Sequence, residues 1–252
     1  MGIQADLKWE NPKQNCLYFK TQIKATKTKP DVVVLPEMFT TGFSMDAKKI
    51  AEALQGKTIT WMKSTALENN FAICGSLAIK DKEQFYNRFV FVHPSGKIDF
   101  YDKKHTFTLA GEDKIYTSGN ERKIITFRGW KIYPQICYDL RFPAWSRNTK
   151  NYDLLIYVAN WPNKRNVAWQ TLLKARAIEN MAYTIGVNRV GTDANNLTYS
   201  GDSMIVDYLG ETLSDLNPEK QGIITASLEK NNQNLVREKL GFLNDKDAFE
   251  FL

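Results

Sequence analysis

The chain has 252 residues, of which 43% are apolar, and a formal net charge of +6 at pH 7. This length and composition suffice to bury a full core, and no apolar run approaches the roughly 20 residues that a membrane-spanning helix needs. The lysines are scattered among acidic residues and form no stripe interleaved with aromatics, which argues against a nucleic-acid-binding face. Such a basic surface still favours anionic substrates.

No feature of the sequence divides the chain. It has no linker rich in Pro, Gly or Ser, no repeat and no low-complexity tract, so we predict one domain over residues 1–252. Three cysteines without metal-type spacing and two histidines make no convincing ligand set, and we expect neither a metal nor an organic cofactor. No signal peptide is recognisable, and the cytoplasm is the simplest compartment to expect.

The N-terminal part alternates strands with helices. Residues 3–7 predict a short opening strand, and Asn11 precedes a helix with apolar positions such as Leu17. Residues 32–35 form a continuous apolar run that is typical of a buried strand. This strand is followed at once by Glu37, which places a carboxylate at the strand end.

A helix, a strand and a hairpin follow. Residues 58–69 predict a helix and residues 71–79 a strand. Residues 89–92 and 97–101 predict a β-hairpin that closes over a Pro-Ser-Gly turn. The hairpin places Lys103 just beyond the end of an aromatic strand.

The stretch from Trp130 to Trp145 changes character at Cys137. The β-branched and aromatic residues before this cysteine predict a buried strand, and the polar residues after it predict a turn into a helix. A thiol at such an elbow is expected to be exposed at the sheet edge, near a helix N-terminus that favours the thiolate. The alternative is a free cysteine that packs as a small hydrophobe.

The C-terminal half continues the alternation. The predicted elements are strands at 154–159, 184–190, 201–208 and 222–227 and a helix at 169–181. Trp161 follows the first of these strands, either as a pocket wall over the substrate or as an ordinary buried aromatic at a turn. A charged tail ends in Phe249-Glu250-Phe251-Leu252, whose aromatics favour packing against another subunit.

Three predicted strands thus end in a carboxylate, an ammonium group and a thiol, those of Glu37, Lys103 and Cys137. In an open α/β sheet, ligands bind outside the strand ends, so these groups can converge although they are far apart in sequence. The alternation of strands and helices predicts an α/β fold. The hairpin predicts mixed rather than purely parallel sheets.

The ordered motifs LPE at 35–37, YDKKH at 101–105 and ICYDLRFP at 136–143 resemble the nitrilase, or carbon–nitrogen hydrolase, superfamily. The resemblance extends over nearly the whole chain and is strongest to the bacterial form of the ω-amidase branch. Further matching segments are EMFTTGF at 37–43, NWP at 160–162, RAIEN at 176–180 and GDSMIVD at 201–207. A lone LPE or CYD is a weak signal, whereas the ordered set is specific.

The resemblance implies a Glu-Lys-Cys triad. Glu37 matches the general base and Cys137 the nucleophile, and the K-x-H spacing selects Lys103 as the lysine. Glu112 matches a second glutamate that holds the lysine and the substrate amide in register, with a loop cap as the alternative role. The implied fold is a four-layer α-β-β-α sandwich of the nitrilase type, which dimerises through a helical layer.

The reaction implied by this triad is amide hydrolysis. Glu37 takes the proton of Cys137, and the thiolate attacks the carboxamide while Lys103 and the backbone N–H of Tyr138 stabilise the oxyanion. Ammonia leaves, and a water activated by Glu37 hydrolyses the thioester. The competing chemistry is a papain-like Cys/His pair, but neither histidine lies in a recognisable context for it.

The substrate is less well defined by the sequence. Cys-Tyr-Asp, where true nitrilases carry Cys-Trp-Glu, indicates amides, and the resemblance implies 2-oxoglutaramate, with succinamate as a related substrate. The alternatives are deaminated glutathione, N-carbamoyl compounds and, from another class, a catalytically idle binding scaffold.

Arg141, four residues beyond the nucleophile, is expected to pair with the distal carboxylate of the substrate. Alternatively, it pairs with Asp139 or another acidic residue and braces the elbow.

Overall fold

Two mixed β-sheets form the centre of the molecule in the computed structural model, which describes residues 1–214 and 216–251. Within these residues there are thirteen strands and six α-helices. The strands are β1 (Gly2–Gln4), β2 (Val32–Val34), β3 (Ala72–Asp81), β4 (Gln84–Val92), β5 (Ile98–Asp102), β6 (Ile125–Phe127), β7 (Trp130–Ile136), β8 (Leu154–Val158), β9 (Tyr183–Val187), β10 (Val190–Thr192), β11 (Thr198–Ser200), β12 (Met204–Val206) and β13 (Gly222–Ile224). The helices are α1 (Pro12–Ala25), α2 (Ala47–Ile50), α3 (Lys57–Asn69), α4 (Pro143–Ser146), α5 (Asn166–Asn180) and α6 (Lys230–Leu240).

Each sheet has a parallel centre and antiparallel edges. The first sheet has the order β13-β1-β2-β3-β4-β5, in which β1, β2 and β3 are parallel. The second has the order β12-β9-β8-β7-β6, in which β7, β8 and β9 are parallel. The strands β10 and β11 form a separate antiparallel ribbon. The prediction of an α/β fold with mixed sheets is confirmed.

An apolar core fills the space between the two sheets. Val34 and Phe91 of the first sheet and Ile132 and Ile156 of the second belong to this core and are fully or almost fully buried. Burial of each such side chain is worth about 1.5–3 kcal/mol relative to exposure. The stacking of the two sheets is therefore driven mainly by this shared apolar layer.

Helices cover the outer faces of both sheets. Because side chains alternate across a strand, Val33 points away from the shared core and packs with Phe19 of α1 and Ile59 of α3. On the other side, Leu155 of β8 packs in one cluster with Leu173 of α5. The layers are helix, sheet, sheet and helix, which confirms the predicted four-layer sandwich.

Most predicted elements are present, with instructive exceptions. The predicted strand at 184–190 is split between β9 and β10, because the Asn188 side chain accepts the backbone N–H groups of Trp161 and Arg189 and interrupts the strand. Leu17, an apolar position of the first predicted helix, is 62% exposed.

The C-terminal region was predicted only as a charged tail, but it contains α6. Polar contacts hold this helix: Gln233 donates to the Asp153 carbonyl, and Arg237 donates to the Tyr152 carbonyl. Its sequence has no long apolar stripe, which is why periodicity missed it. No helix in the described part of the chain is long and apolar enough to cross a membrane.

The terminal aromatics do not simply project from the molecule. Phe251 packs edge-on against Trp145 of its own chain, with ring centroids 5.1 Å apart. Phe251 remains 49% exposed and Phe249 39% exposed, so packing of this tail against another subunit stays a prediction. Leu252, the last residue of the predicted contact, lies outside the described residues.

The sheet topology brings several strand ends to one edge of the sandwich. Since β4 is antiparallel to both β3 and β5, the strands β2, β3 and β5 run in the same direction. Glu37 follows β2, and Lys103 follows β5 directly. Cys137 and Asn160 follow β7 and β8 of the facing sheet. These four residues contribute to one site.

Candidate active site

A buried ionic cluster lies behind the strand ends. Lys103 Nζ donates to Glu37 Oε1 at 2.9 Å and to the two carboxylate oxygens of Glu112 at 3.0 and 2.9 Å. All three side chains are at most 1% exposed. The structure therefore brings together Glu37, Lys103 and Glu112, which lie far apart or in separate loops along the sequence.

Asn87 joins the two carboxylates and was not predicted from the sequence. Its Nδ2 donates to Glu37 Oε1 at 2.8 Å and to Glu112 Oε1 at 3.0 Å, and its Oδ1 accepts from the Ser76 hydroxyl at 2.8 Å. The available signal was an amide side chain that interrupts the run of apolar residues in β4. Asn87 holds the two carboxylates in a fixed separation.

Charge in this cluster is distributed unevenly, with one ammonium group between two carboxylates. Burial alone lowers the pKa of Lys103, but Glu112 and Glu37 outweigh it and raise the pKa above its ordinary value. Burial raises the pKa of Glu112, and the Lys103 charge opposes this change. Lys103 therefore remains an ammonium group, available to stabilise a further negative charge.

The nucleophile candidate sits at a strained elbow. Cys137 has φ 44°, a left-handed conformation that costs a non-glycine residue about 1 kcal/mol or more. Asp139 supports this conformation, since its carboxylate accepts the Ile136 and His105 backbone N–H groups, both at 3.0 Å. The Tyr101 hydroxyl also donates to it at 2.8 Å.

The thiol itself differs from the prediction. Burial raises the pKa of Cys137 well above its ordinary value and the Glu37 charge raises it further, while Lys103 lowers it only in part. The predicted preference for the thiolate is wrong, because the surrounding protein desolvates the sulfur and the 3₁₀ helix that begins at Cys137 is only five residues long. A neutral thiol beside a carboxylate is the starting arrangement for general-base activation.

Asn160 fixes the orientation of Glu37 and is a second residue that the sequence did not single out. Its backbone N–H donates to Glu37 Oε2 at 2.8 Å, and its side-chain amide donates to the Glu37 carbonyl at 2.6 Å. The Asn160 carbonyl lies 4.0 Å from the sulfur of Cys137. Its place directly after β8, at the start of the NWP segment, was the available signal.

A cavity of about 420 Å³ reaches Cys137, and the three predicted substrate-binding residues all line it. Tyr138 packs edge-on against Phe107, with ring centroids 4.9 Å apart. The Arg141 guanidinium lies 4.8 Å from the centre of the Trp161 ring. Trp161 is therefore a wall of the cavity as well as a buried aromatic.

Arg141 does not brace the elbow through Asp139. The Asp139 oxygens accept bonds from Ile136, Tyr101 and His105, and among the described residues Arg141 has no carboxylate within ion-pair distance. Its charge is thus free to face a ligand.

The histidines do not form a pair with the cysteine. His105 Nδ1 lies 2.8 Å from Asp139 Oδ1, and its ring stacks on Phe142 at 3.7 Å. His93 pairs with Asp99 at 2.7 Å. Within residues 1–214 and 216–251, no group of three or more His, Cys, Asp or Glu side chains is placed to hold a metal ion.

Comparison with known proteins identifies the family of this chain. The family model described as carbon-nitrogen hydrolase matches residues 3–237. The ω-amidase YafV of Yersinia enterocolitica is 44% identical over 250 residues, which cover 99% of this chain and 97% of that protein. The 2-oxoglutaramate amidase of Bacillus subtilis is 32% identical over 254 residues, which cover 98% of this chain and 97% of that protein.

A solved structure shows the same architecture. The crystal structure of a CN-hydrolase superfamily protein from Xanthomonas campestris, with an arsenic adduct in its active site, matches with a TM-score of 0.95. It is 36% identical, and the match covers 99% of this chain and 97% of that chain. On sequence, fold and full-length coverage together, the chain belongs to the carbon–nitrogen hydrolase family, that is, to the nitrilase superfamily.

Proposed function

We propose that this carbon–nitrogen hydrolase is an ω-amidase, which hydrolyses the terminal carboxamide of a small ω-amido dicarboxylate. The expected substrate is 2-oxoglutaramate, which yields 2-oxoglutarate and ammonia, and succinamate is a related substrate. The observation that carries the proposal is the buried contact of Lys103 with Glu37 and Glu112 beside Cys137, at a cavity that also holds Arg141. The names of the relatives from Yersinia and Bacillus support the same substrate class.

The first half of the reaction forms a thioester. Glu37 accepts the proton of Cys137, and the sulfur attacks the carboxamide carbon. The resulting oxyanion is stabilised by the Lys103 ammonium group and the Tyr138 backbone N–H. When the C–N bond breaks, Glu37 returns its proton to the nitrogen, and ammonia leaves.

The second half uses the same carboxylate again. Glu37 accepts a proton from water, the oxygen attacks the thioester, and the C–S bond breaks to release the carboxylic acid and regenerate the thiol. Because Glu37 accepts a proton in both halves of the reaction, its carboxylate must be held in one position. The bonds from Lys103, Asn87 and the Asn160 backbone to Glu37 supply that restraint.

Glu112 is proposed to act as a positioning residue. It accepts two bonds from Lys103, which fixes the ammonium group toward the reacting carbonyl. It also accepts the backbone N–H of Phe107, so the alternative role as a loop cap is part of the same arrangement. Both contacts connect the loop after β5 to the triad.

Substrate choice is tested by a direct comparison with purified protein. Ammonia release is measured from 2-oxoglutaramate, succinamate, deaminated glutathione and an N-carbamoyl amine. We expect the two ω-amido acids to give the highest kcat/KM, because Arg141 meets a distal carboxylate in a cavity of about 420 Å³. A preference for deaminated glutathione or the carbamoyl compound contradicts the proposed substrate. No hydrolysis of any of the four supports the idle-scaffold alternative.

We also propose that the protein is a cytoplasmic homodimer, as expected from the sequence and the family resemblance. Exposed apolar side chains on two helices support association, with Val167 and Ile178 of α5 and Leu235 of α6 each more than half exposed. Light scattering after gel filtration is expected to give twice the chain mass of 29.0 kDa. A mass of one chain contradicts the dimer, and cell fractionation tests the compartment.

A further inference from the structure

We propose that Arg165 is a second anion-binding residue of the cavity, which acts with Arg141 to select amides that carry a distal carboxylate. The inference rests on the proposed amidase function and adds a specificity-determining residue to it. Arg165 ends the 3₁₀ helix Asn163–Arg165, is half-buried, and lines the cavity that reaches Cys137. Its guanidinium lies 5.3 Å from the centre of the Phe107 ring.

The charge of Arg165 is not used by the protein itself. Other buried arginines have carboxylate partners, as Arg88 has in Asp102 and Arg176 in Glu179. In contrast, the guanidinium groups of Arg141 and Arg165 rest on aromatic rings, and neither has an ion-pair partner among the described residues. Two half-buried cations with open hydrogen-bond donors face the same cavity.

The acidic group among the cavity-lining residues does not cancel these charges. Asp193 is 8% exposed, and its carboxylate accepts bonds from the Tyr199 hydroxyl at 2.8 Å and from the backbone N–H groups of Asn195 at 2.8 Å and Leu197 at 3.0 Å. These bonds hold the Asp193 carboxylate within the β10–β11 hairpin. The cavity therefore presents two available cations against one carboxylate that is already engaged, and it attracts anions.

The aromatic walls hold both cations in place. A guanidinium that stacks on a ring keeps its plane and its fork of donors defined, which a lysine does not offer. Trp161 connects the two sites, since Arg141 lies over its ring while its Nε1 donates to the Arg165 carbonyl at 2.8 Å. A carboxylate has about four lone-pair positions, so it can accept bonds from two guanidinium groups at once.

The test compares an anionic with a neutral amide in the variant Arg165→Met. We expect kcat/KM for succinamate to fall about 10- to 100-fold, mainly through KM, because charge-assisted hydrogen bonds are lost. Butyramide has no carboxylate, so its kcat/KM is expected to change by no more than about 3-fold, as for an ordinary substitution at the edge of a cavity. Methionine keeps an unbranched side chain that can lie over Phe107. The backbone carbonyl of residue 165 still accepts the bond from the Trp161 indole N–H, so we expect the fold to be retained.

Lys164→Met is the matched control. Lys164 is the preceding residue of the same 3₁₀ helix and carries the same charge, but it is exposed and lies outside the cavity lining. For Lys164→Met, we expect kcat/KM to stay within about 3-fold of the wild-type value for both succinamate and butyramide, since a solvated charge contributes little. Arg165→Lys keeps the charge but loses the forked pair of guanidinium donors. Its kcat/KM for succinamate is expected to lie between the values of the wild-type protein and Arg165→Met.

Equal losses for succinamate and butyramide in Arg165→Met, or an equal loss for succinamate in Lys164→Met, overturn the inference. Failure of the proposed function gives a different result, in which the wild-type protein hydrolyses no ω-amido acid. In that case calorimetric binding of succinate to the wild-type protein and to Arg165→Met still tests the anion site. A weakening of about 10-fold or more is expected, and equal affinities overturn the inference.

Discussion

The two ends of the parallel strands carry charged clusters of opposite composition. The cluster that we propose to be catalytic, called the catalytic cluster, lies beyond the carboxyl ends, and the cluster that we call the α6 cluster lies at the amino end of β8. Their members are Glu37, Lys103 and Glu112 for the catalytic cluster and Asp153, Lys230 and Arg237 for the α6 cluster. The first holds one cation between two carboxylates, and the second holds one carboxylate between two cations.

The two clusters also differ in how deeply their side chains are buried. The catalytic side chains are at most 1% exposed, whereas Lys230 of the α6 cluster is 31% exposed and Arg237 is 14% exposed. Partly exposed ion pairs contribute little to stability, whereas a buried charge that loses its partner destabilises strongly. The α6 cluster thus attaches a helix to the sheet. The catalytic cluster places two buried carboxylates around one ammonium group, which suits the proposed role of Glu37 as a general base.

The largest expected effect is at the thiol that faces the catalytic cluster. Cys137→Ala is expected to lower kcat by a factor on the order of 10⁴ or more, because it removes the bond-forming atom. The free energy of unfolding is expected to change by only about 1 kcal/mol, since a single small side chain is lost. Ammonia release and urea unfolding measure the two quantities. Mass spectrometry of denatured protein after brief substrate exposure is expected to find the acyl group on Cys137.

Near-wild-type turnover in Cys137→Ala contradicts the nucleophile assignment. Labelling confined to Cys16 or Cys74 does the same. Neither of these cysteines is among the cavity-lining residues.

Removal of the shared cation is the next largest change. Lys103→Ala is expected to lower kcat about 10²- to 10³-fold through loss of oxyanion stabilisation. It also leaves two buried carboxylates unpaired, which is expected to lower the free energy of unfolding by about 3–5 kcal/mol. Lys104→Ala is the control, because its ammonium group lies over the Trp145 ring outside the cluster. Equal rate losses in the two variants refute the selection of Lys103.

A smaller change tests the second carboxylate. Glu112→Gln keeps the shape of the side chain but weakens its hold on Lys103, and we expect kcat to fall about 10- to 100-fold while the protein remains folded. Steady-state kinetics and circular dichroism check the two parts of this prediction. An unchanged rate returns Glu112 to the role of a loop cap.

The α6 cluster is expected to respond in the opposite way. Asp153→Asn weakens the contacts with Lys230 at 2.7 Å and Arg237 at 3.3 Å, and we expect the free energy of unfolding to fall by about 1–2 kcal/mol. The value of kcat/KM is expected to remain unchanged, because the cluster lies at the far edge of the sheet. A rate loss as large as that of Glu112→Gln removes the proposed distinction between the clusters.

The smallest effect concerns alkaline pH. Burial, together with the Glu37 charge, raises the pKa of the folded-state thiol of Cys137 well above 9.0, so the folded protein keeps a proton that the unfolded chain loses. Its contribution to stability is therefore present below about pH 9 and is lost as the pH rises. Relative to Cys137→Ala, the wild-type protein is expected to lose about 1 kcal/mol of unfolding free energy between about pH 8 and 9.5. A constant difference in urea unfolding contradicts the raised pKa.

The sequence by itself determined the order of the elements and the triad candidates. Continuous apolar runs predicted β2 and β8 correctly, because a buried strand needs apolar side chains on both faces. Glu37, Lys103 and Cys137 each follow a predicted strand, and the ordered motifs of the family lie at the same positions. These features are local in the chain, so they can be read without the fold.

Tertiary structure alone decided the electrostatics and the supporting contacts. Asn87 became part of the site because pairing of β4 with its neighbours places its amide between two carboxylates, which no local pattern encodes. Arg165 entered the cavity through the turn after Trp161. The thiol of Cys137 was predicted to ionise readily, but a pKa depends on desolvation and on charges from distant parts of the chain. Those quantities exist only once the two sheets have packed together.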